Sequence, residues 1–457
     1  MKSERCSMLR IMPVILSFII ITLRFSFLSA LDAKDASTKK LMLTLEAAVN
    51  MALERNPDAL AAREGVNYAR GRVTEVMGDA LTQVNIQTNY TRNIQLPVIF
   101  FRMNDEVQQI RIGEPNQYDV NLLVTQPLYT FGRIGSALDA ARLFLDISRN
   151  RQRTSLEMVC YDTELAYYRA LLAREVSAVW ELALEQARAN RDQVNSFYKS
   201  GTASEFDLLR ADVEYENTRP LLIRARNDYS IALADLKRII NIPYDTEIEL
   251  VDELRYEPSQ VSLEECIGGA MEQRPDLAAS RLNVDMMEKS LSIRKAEKYP
   301  IISFFTNYGV AAASPQLIPD SEEVVRSWGA GLALDIPIFD GRRRKGQVDQ
   351  ARAELLMARF EDEKLERLVR LEVEKAYTDL TGTQEEIRAQ QATVKQAERA
   401  YELAKVRYEN GLSTQLEVRD AHLALQRAKT NYLEAVYRYN VAYATMRKAT
   451  GTLLTPE

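Results

Sequence analysis

The stretch LTLEAAVNMALERNPDALAAR at Leu43–Arg63 returns, in altered form, as VSLEECIGGAMEQRPDLAASR at Val261–Arg281. Both carry a Leu-Glu pair near the start, a Pro-Asp pair in the middle and an Arg at the end, and they align without a gap. Further along the chain the spacing between matching residues becomes slightly shorter, and Gly201 then matches Gly411. Self-similarity that keeps the same order at a nearly constant spacing indicates an internal duplication, and two copies fill most of the chain.

Each copy opens with the signals of two short helices. Thr44 is a predicted N-cap in the first copy, and Ser262 with Glu265 forms a predicted capping box in the second. Pro57 and Pro275 then mark a break or restart, because proline is tolerated at the first position of a helix but not in its interior.

Segments with period-two alternation follow the short helices. The ranges Val84–Tyr90 and Asp119–Leu122 alternate apolar and polar residues in the first copy, as Ser303–Val310 and Trp328–Ile338 do in the second. Such alternation is typical of strands with one apolar face, and the prolines and glycines between the segments are typical of turns. We expect one long β-hairpin in each copy.

Very long helices are predicted after each hairpin. Neither Gly nor Pro occurs from Ser136 to Ser200, and a helix of that length spans roughly 100 Å at 1.5 Å per residue. In the second copy a single Gly382 divides the comparable run. Apolar residues recur at helical spacing with charges between them, as in a coiled coil or a helical bundle. Gly201 and Gly411 stand where each rod is expected to reverse direction.

These patterns divide the chain into a signal peptide, two structural repeats, a connector and a tail. We place the signal peptide at 1–30, the first repeat at 31–242, the connector at 243–260, the second repeat at 261–452 and the tail at 453–457. Within the repeats, the hairpins are expected at about 83–128 and 301–338, and the long helices at about 133–240 and 343–450.

Residues 1–30 indicate export. Lys2, Arg5 and Arg10 give a positively charged start, and the apolar run Ile11–Leu23 follows. That run is short for a membrane-spanning helix, so a secretory signal peptide is the favoured interpretation, with a retained N-terminal anchor as the alternative.

Composition limits the chemistry that the chain can perform. Its 457 residues are 46% hydrophobic and 27% charged, with a formal net charge of −6, one histidine and three cysteines. One histidine excludes clusters of histidine ligands, three cysteines exclude a four-cysteine zinc site, and a net negative charge argues against nucleic acid as a partner. We therefore expect no enzyme activity, no metal and no cofactor. The single histidine, His422, is expected on a helix surface.

Four strands in an exported chain pose a physical problem. Outer-membrane barrels have at least eight strands, and an open sheet edge in lipid leaves backbone groups unpaired. In a membrane the hairpins must therefore close with those of other chains, giving eight strands in a dimer or twelve in a trimer. The alternative is a secreted coiled-coil scaffold without a pore, in which the hairpins cap a helical bundle.

Several motifs resemble those of TolC-type outer-membrane efflux proteins. They are the hairpin ends QPLYTFGR and IPIFDGRRR at Gln126–Arg133 and Ile336–Arg344, and the Y-x-x-G-x-x-[ST] reversals at Tyr198–Ser204 and Tyr408–Thr414. The resemblance covers residues 41–452, in order and in both copies. It implies an α+β membrane channel: a homotrimer with a twelve-stranded β-barrel in the outer membrane, continued by a periplasmic α-helical barrel of antiparallel coiled coils.

The resemblance also implies a function and partners. The chain would be the exit duct of a tripartite efflux system, passing small molecules from an inner-membrane pump of RND or ABC type, with a periplasmic adaptor, to the exterior. The outer component of type I protein secretion is an alternative that the sequence leaves open, because cargo is chosen mainly by the pump. The family is not enzymatic, and outer-membrane lipid would surround the strands.

In this family, acidic side chains ring the periplasmic end of the tunnel. Glu417 and Asp420, six and nine residues after Gly411, match those positions, and a spacing of three places both on one helix face. Three copies would bring six carboxylates together and favour cations over anions. The family has Asp where Glu417 stands, so the constriction is expected to be softer or displaced. The alternative is an ordinary solvated helix face.

A gate latch is also implied. Asp207, six residues after Gly201, and Tyr408, three before Gly411, match positions that in the family hydrogen-bond between helix pairs and hold the entrance shut. A basic residue commonly joins them two positions after the second glycine, where this chain has Ser413. With fewer charge-assisted hydrogen bonds, this latch is expected to open more readily.

The two reversals resemble the tips that contact the adaptor. Glycine permits the turn, and small hydroxyl residues allow close approach of the helices. Any helical hairpin needs such a turn, which is the alternative explanation. The predicted docking residues are Gly201, Thr202, Ser204, Gly411, Leu412, Ser413 and Thr414.

Overall fold

The computed structural model describes residues 40–103 and 106–454. The predicted signal peptide at 1–30 and the last three residues of the tail lie outside the described residues. Within the described ranges, every helix is too short or too polar to cross a membrane.

Each copy contains two short helices followed by two long ones. The first copy has α1 (Leu45–Arg55), α2 (Pro57–Gly78), α3 (Arg133–Lys199) and α4 (Glu205–Ile239). The second copy has α5 (Leu263–Gln273), α6 (Pro275–Ala296), α7 (Arg343–Glu409) and α8 (Gln415–Thr450). Helices α1 and α5 are equal in length, as are α2 with α6 and α3 with α7. The predicted duplication is therefore confirmed in the fold.

The described strands form one large sheet and two small pairs. In chain order they are β1 (Leu41–Leu43), β2 (Gln83–Arg92), β3 (Val98–Met103), β4 (Glu106–Arg111), β5 (Asn116–Tyr129), β6 (Ile248–Leu250), β7 (Ile301–Ser314) and β8 (Val324–Asp335). The large sheet has the order β2-β5-β7-β8, and all its pairs are antiparallel. Strands β3 and β4 pair with each other, and β1 pairs with β6 in parallel. Each copy thus supplies one long hairpin, and β5 joins the first hairpin to β7 of the second.

Each strand of the large sheet connects to a helix. Strand β2 follows α2, β5 precedes α3, β7 follows α6 and β8 precedes α7. Near the sheet the helices pack in the same order as the strands, α2-α3-α6-α7. Farther from the sheet, α4 lies in the position that α2 has near the sheet, and α8 lies in the position of α6. The order of helices there is α4-α3-α8-α7. The chain is therefore a wall of four columns.

In each copy, the start of the second short helix meets the end of the last long helix, and we call this meeting point a joint. Asn56 precedes α2, and its Nδ2 donates to the carbonyl oxygen of Ile239 at the end of α4, 2.9 Å away. Arg274 precedes α6, and its Nη1 donates to the carbonyl oxygen of Ala449 near the end of α8, 3.2 Å away. Each pair of helices thus forms one interrupted column, and the predicted break before each second helix lies at its joint.

Two apolar cores, one in each copy, hold the first short helix of the copy against the long ones. The first core surrounds Tyr167, which is fully buried, and the second includes Leu277, Val373 and Tyr439. The Tyr167 hydroxyl lies 2.7 Å from a carboxylate oxygen of Asp252 in the connector. The cores therefore fix the level at which the connector crosses the columns.

Two local predictions are wrong. Ser262 makes no side-chain cap bond at the start of α5, whereas Thr44 caps α1 by accepting the Ala47 N–H at 3.2 Å. Acidic side chains in the first turn of α5 supply negative charge at the positive helix end instead. Helix α7 also runs without interruption through Gly382. One interior glycine costs about 1 kcal/mol, and the buried packing of α7 on both sides of it outweighs that cost.

Candidate gate at the helix reversals

Both long hairpins reverse through the same motif. Gly201 and Gly411 adopt left-handed conformations, with φ of 78° and 72°. The residue after each glycine donates its N–H to the carbonyl five residues back, at 2.9 Å for Thr202 and 2.8 Å for Leu412. This is a Schellman motif, which favours glycine because it needs positive φ. The glycines therefore stand at the reversals, as their spacing predicts.

A cap begins the second helix of each hairpin. Ser204 Oγ accepts the Asp207 N–H at 3.2 Å, and the Asp207 carboxylate accepts the Ser204 hydroxyl at 2.6 Å. Thr414 Oγ1 accepts the Glu417 N–H at 3.4 Å, and the Glu417 carboxylate accepts the Ser413 hydroxyl at 3.1 Å. Asp207 and Glu417 are thus the third residues of α4 and α8, and both take part in starting a helix.

Glu417 and Asp420 are exposed, one turn apart on α8. Asp420 accepts a hydrogen bond from Arg419 Nη2 at 3.1 Å, and 58% of its side chain is exposed. The Arg419 guanidinium offsets part of the negative charge of Asp420. The spacing of the two acids in the sequence does not reveal this ion pair. The predicted constriction pair therefore consists of two exposed carboxylates, one of them ion-paired.

The predicted latch residues are not hydrogen-bonded to one another within the described part of one chain. The Asp207 carboxylate accepts hydrogen bonds from the side chain and the backbone of Ser204. These hydrogen bonds lower the pKa of Asp207. Tyr408 is half-buried, and burial and then the charge of Asp207 raise its pKa. Ser413 donates to Glu417. One chain alone thus brings Asp207 near Tyr408 without closing the latch.

The tips of both hairpins are open to solvent. Leu412 presents the larger apolar side chain there, 71% exposed. A Cβ atom added at Gly201 or Gly411 would meet no atom within 4 Å, so the turn itself, and not crowding, favours glycine. Of the predicted docking residues, Ser413 is half-buried, and the exposed ones are Gly201, Thr202, Ser204, Gly411, Leu412 and Thr414.

His422 is buried, which corrects its predicted place on a helix surface. It is 7% exposed, and its Nε2 is in hydrogen-bond contact with Gln186 Oε1 on α3 and lies 3.0 Å from the Gln426 amide. Tyr401 of α7 stacks on the ring, with 5.0 Å between centroids. Burial, and then the charge of Lys429, lower the pKa of His422. The overlooked signal is its helical spacing from buried residues further along α8.

Glu214 of α4 is a second group that the sequence reasoning missed. It is half-buried, and this burial raises its pKa, while the charges of Arg419 and Arg210 lower it and Asp420 raises it again. The first hairpin therefore brings a carboxylate close to the charged start of α8.

The side chains of this region do not form a metal site. Among the described residues, no three His, Cys, Asp or Glu side chains lie close enough to hold one ion. The two carboxylates on α8 are exposed, and Arg419 already pairs with one of them.

Residues 48–241 and 266–452 match the sequence family described as outer membrane efflux protein. The two matched ranges correspond to the two copies of the duplication.

Individual relatives are similar along most of their length. The alkaline protease secretion protein AprF of Pseudomonas aeruginosa is 24% identical over 420 residues, covering 88% of this chain and 83% of AprF. The pyoverdine export outer membrane protein OpmQ of Pseudomonas putida is 24% identical over 380 residues, covering 78% of each protein. The crystal structure of the outer membrane protein VceC of Vibrio cholerae aligns with a TM-score of 0.73 at 18% identity, covering 89% of this chain and 96% of VceC. The chain therefore has the same fold as VceC.

Proposed function

Because the chain belongs to the outer membrane efflux protein family, we propose that it forms the exit duct of a tripartite efflux system in a Gram-negative outer membrane. Small molecules pass from an inner-membrane pump, with a periplasmic adaptor, through this duct to the exterior. The family is one of channel proteins.

The observation that carries the proposal is the open four-stranded sheet. Its edge strands β2 and β8 have no partner among the described residues, and lipid does not tolerate such edges. Three copies give twelve strands, an even number within the range of outer-membrane barrels. Since β2 and β8 run in opposite directions, closure between copies keeps every pair antiparallel.

The duplication predicts how neighbouring chains pair. Within one chain β5 pairs with β7, and Leu123 lies opposite Asn307. Strand β8 is the counterpart of β5 in the second copy, where Ala333 matches Leu123. Strand β2 is the counterpart of β7 in the first copy, where Asn89 matches Asn307. When β8 of one chain repeats the internal pairing with β2 of the next, Ala333 lies opposite Asn89.

The helical columns continue the barrel into the periplasm, and their far end is the entrance. Three copies carry Glu417 and Asp420 around one axis, so that six carboxylates narrow and charge the opening. Arg419 weakens this field because it pairs with Asp420. The entrance therefore selects for cations less strongly than six free carboxylates would.

The latch closes between the two hairpins. Asp207 lies at the start of α4 and Tyr408 near the end of α7, and within one chain the charge of Asp207 already acts on Tyr408. Closure of three chains into a ring brings the tyrosine hydroxyl onto this carboxylate. Ser413 brings no positive charge to this contact, so the latch is weak and the entrance opens readily.

The reversals dock the adaptor. Leu412 gives the second tip an exposed apolar side chain, and Thr202, Ser204, Ser413 and Thr414 give both tips small hydroxyl groups around the glycines. Such a surface suits close packing against another helical hairpin.

Type I protein secretion is the second candidate function. Its support is the similarity to AprF, an alkaline protease secretion protein. The same duct serves both functions, and the pump that engages it decides the cargo.

The test is cell fractionation of a strain that expresses the full-length chain, with and without boiling before electrophoresis. We expect SDS-resistant trimers in the outer-membrane fraction that dissociate on heating, and accumulation of pump substrates in cells that lack the chain. Monomers in the periplasm would support the scaffold without a pore and contradict the duct.

A further inference from the structure

His422 joins the two long hairpins of one chain. It lies on α8 of the second hairpin, and its Nε2 is in hydrogen-bond contact with Gln186 Oε1 on α3 of the first. The Tyr401 ring stacks on the His422 imidazole at an interplanar angle of 29°. Because the imidazole is 7% exposed, the contact is shielded from water.

This contact stands alone over a long stretch of the two hairpins. Toward the reversals, no other hydrogen bond or ion pair joins the hairpins among the described residues. Toward the sheet, the hydroxyls of Tyr161 and Thr445 also join the hairpins, at 3.0 Å. The distance from His422 to Thr445 is roughly 35 Å along α8, at 1.5 Å per residue. The packing of α3 on α8 and this one side-chain hydrogen bond therefore hold the entrance end of the second hairpin to the first.

The surroundings of His422 disfavour a positive charge on the ring. Ionisable groups on the helices packed around it include Lys429, Arg419 and Asp420 on α8, Glu398 and Tyr401 on α7, Glu185 and Arg188 on α3, and Glu214 on α4. Lys429 acts on the imidazole directly, and Glu398 is paired with Lys429 at 3.2 Å. Asp420 is paired with Arg419. Nδ1 of His422 has no hydrogen-bond acceptor among the described residues.

We propose that the hydrogen bond between His422 and Gln186, which we call the clasp, holds the second hairpin against the first in the closed duct, and that protonation of His422 releases it. The proposal rests on the proposed function, in which these hairpin ends form the entrance. In the neutral imidazole the N–H is on Nε2 and donates to Gln186 Oε1, so the Gln426 amide, 3.0 Å from the same nitrogen, turns its oxygen and not its N–H toward the ring. A second proton, on Nδ1, places a positive charge beside Lys429 on a ring that is 7% exposed, so the closed packing is disfavoured.

Acid is therefore expected to open the entrance. In the closed state, burial and Lys429 hold the pKa of His422 below its ordinary value of 6.5, whereas an opened hairpin exposes the ring to water. The open state then binds more protons than the closed state. The closed state is favoured above pH 6.5 and loses that advantage as the pH falls.

The test is the single-channel conductance of full-length trimers in planar bilayers, at about pH 7.5 and about pH 5.5 on the periplasmic side. The wild type should be open for a larger fraction of the time at the lower pH. His422→Phe keeps a ring against Tyr401 but loses the hydrogen bond, and Gln186→Leu loses the acceptor. Both should raise the open fraction near pH 7.5 by about two- to ten-fold, the range for one hydrogen bond. The His422→Phe variant should also lose the response to acid.

Two further variants separate the clasp from its protonation. His422→Gln keeps an amide that reaches Gln186 but does not titrate, so it should close as the wild type does near pH 7.5 and stay closed in acid. Asp212, the counterpart of His422 in the first copy, has a side chain that is 51% exposed. Asp212→Asn is the matched control and should behave as the wild type.

The outcomes distinguish the clasp from the duct. A wild-type protein without any conductance would contradict the proposed function and the clasp together. A conducting wild type with an unchanged open fraction in His422→Phe would overturn the clasp alone. An acid response of His422→Gln equal to that of the wild type would assign the pH dependence to another group and contradict the protonation step. SDS-resistant trimers of each variant verify folding.

Discussion

Asn56 and Arg274 occupy the same position in the two copies, but they hold the helix joints by different chemistry. Asn56 uses a neutral amide, which donates to Ile239 and accepts the Asp58 N–H at 2.8 Å. The Arg274 guanidinium is 12% exposed and pairs with Asp276 at 2.6 Å and Glu372 at 2.7 Å. The second joint is therefore charged and largely buried, and the first is not charged.

Replacing Arg274 should destabilise the second joint strongly. Arg274→Met keeps the length of the side chain but leaves Asp276 and Glu372 without their partner. Because these two carboxylates are 29% and 45% exposed, the loss should cost about 2 kcal/mol, less than for a fully buried ion pair. The measurement is the denaturant midpoint of the helical circular dichroism signal at one protein concentration. Arg281→Met, on the helix that follows Arg274, is the control, because the pair of Arg281 with Glu366 is exposed and its loss should cost about 0.5 kcal/mol. Equal effects of the two variants would contradict the assigned role of Arg274.

The same joint predicts a dependence on acid. Burial alone would raise the pKa of Asp276, but the hydrogen bonds and charge of Arg274 outweigh it and lower that pKa from 3.8. The stabilisation is fully present above pH 3.8 and is lost as the pH falls through the lowered pKa. A pH series of the same denaturation experiment should show this acid loss in the wild type and a smaller one in Arg274→Met.

The two acids of α8 should set the ion selectivity of the entrance. Glu417→Gln combined with Asp420→Asn removes six charges from a trimer, so the permeability ratio of potassium to chloride should fall by roughly half or more. Reversal potentials under a gradient of dilute salt measure this ratio before screening conceals it. Glu402→Gln is the control, an exposed acid that the resemblance does not place in the constriction. If the control lowers the ratio as much as the double variant does, the two acids do not form the filter.

At the scale of elements, the sequence predicts the helix reversals from local signals but does not predict contacts between distant segments. The reversals at Gly201 and Gly411 depend on residues within five positions, so glycine and the following caps reveal them. The environment of His422 depends on Gln186, 236 residues away, and therefore has no local signature. Gly382 shows the opposite failure, because tertiary packing of α7 overrides a local helix breaker.

Two glycines at helix ends test the difference between a local backbone requirement and a contact with a distant segment. Gly411 and Gly451 have nearly equal φ, 72° and 73°. A Cβ at Gly411 meets open space, whereas a Cβ at Gly451 would lie 3.0 Å from the Arg274 Cα. Gly411→Ala should cost about 1 kcal/mol from backbone strain, and Gly451→Ala about 3 kcal/mol because the second joint must shift as well. Thermal midpoints measure the difference, and a Gly451→Ala variant as stable as Gly411→Ala would contradict the packing of this joint.

At the scale of the whole molecule, the average composition conceals a difference in environment between the helices and the strands. The chain is 27% charged because most of it is solvated helix, and the four strands of the large sheet are the part that meets lipid in the proposed duct. The duplication and the open sheet are readable from the sequence. The number of copies is not, since eight and twelve strands both satisfy the need for closed edges.

The central claim is that three chains close one barrel by repeating the pairing of β5 with β7 between β8 and β2. Disulfide cross-linking of Asn89→Cys with Ala333→Cys in one chain tests it most directly, because residues directly opposite in antiparallel strands lie within disulfide reach. A control pairs Asn89→Cys with Leu332→Cys, one residue out of register, where the side chain points to the other face. Oxidation should give a covalent ring of three chains in the first variant and not in the control. Rings of two chains, or no cross-link between β2 and β8, would contradict the account.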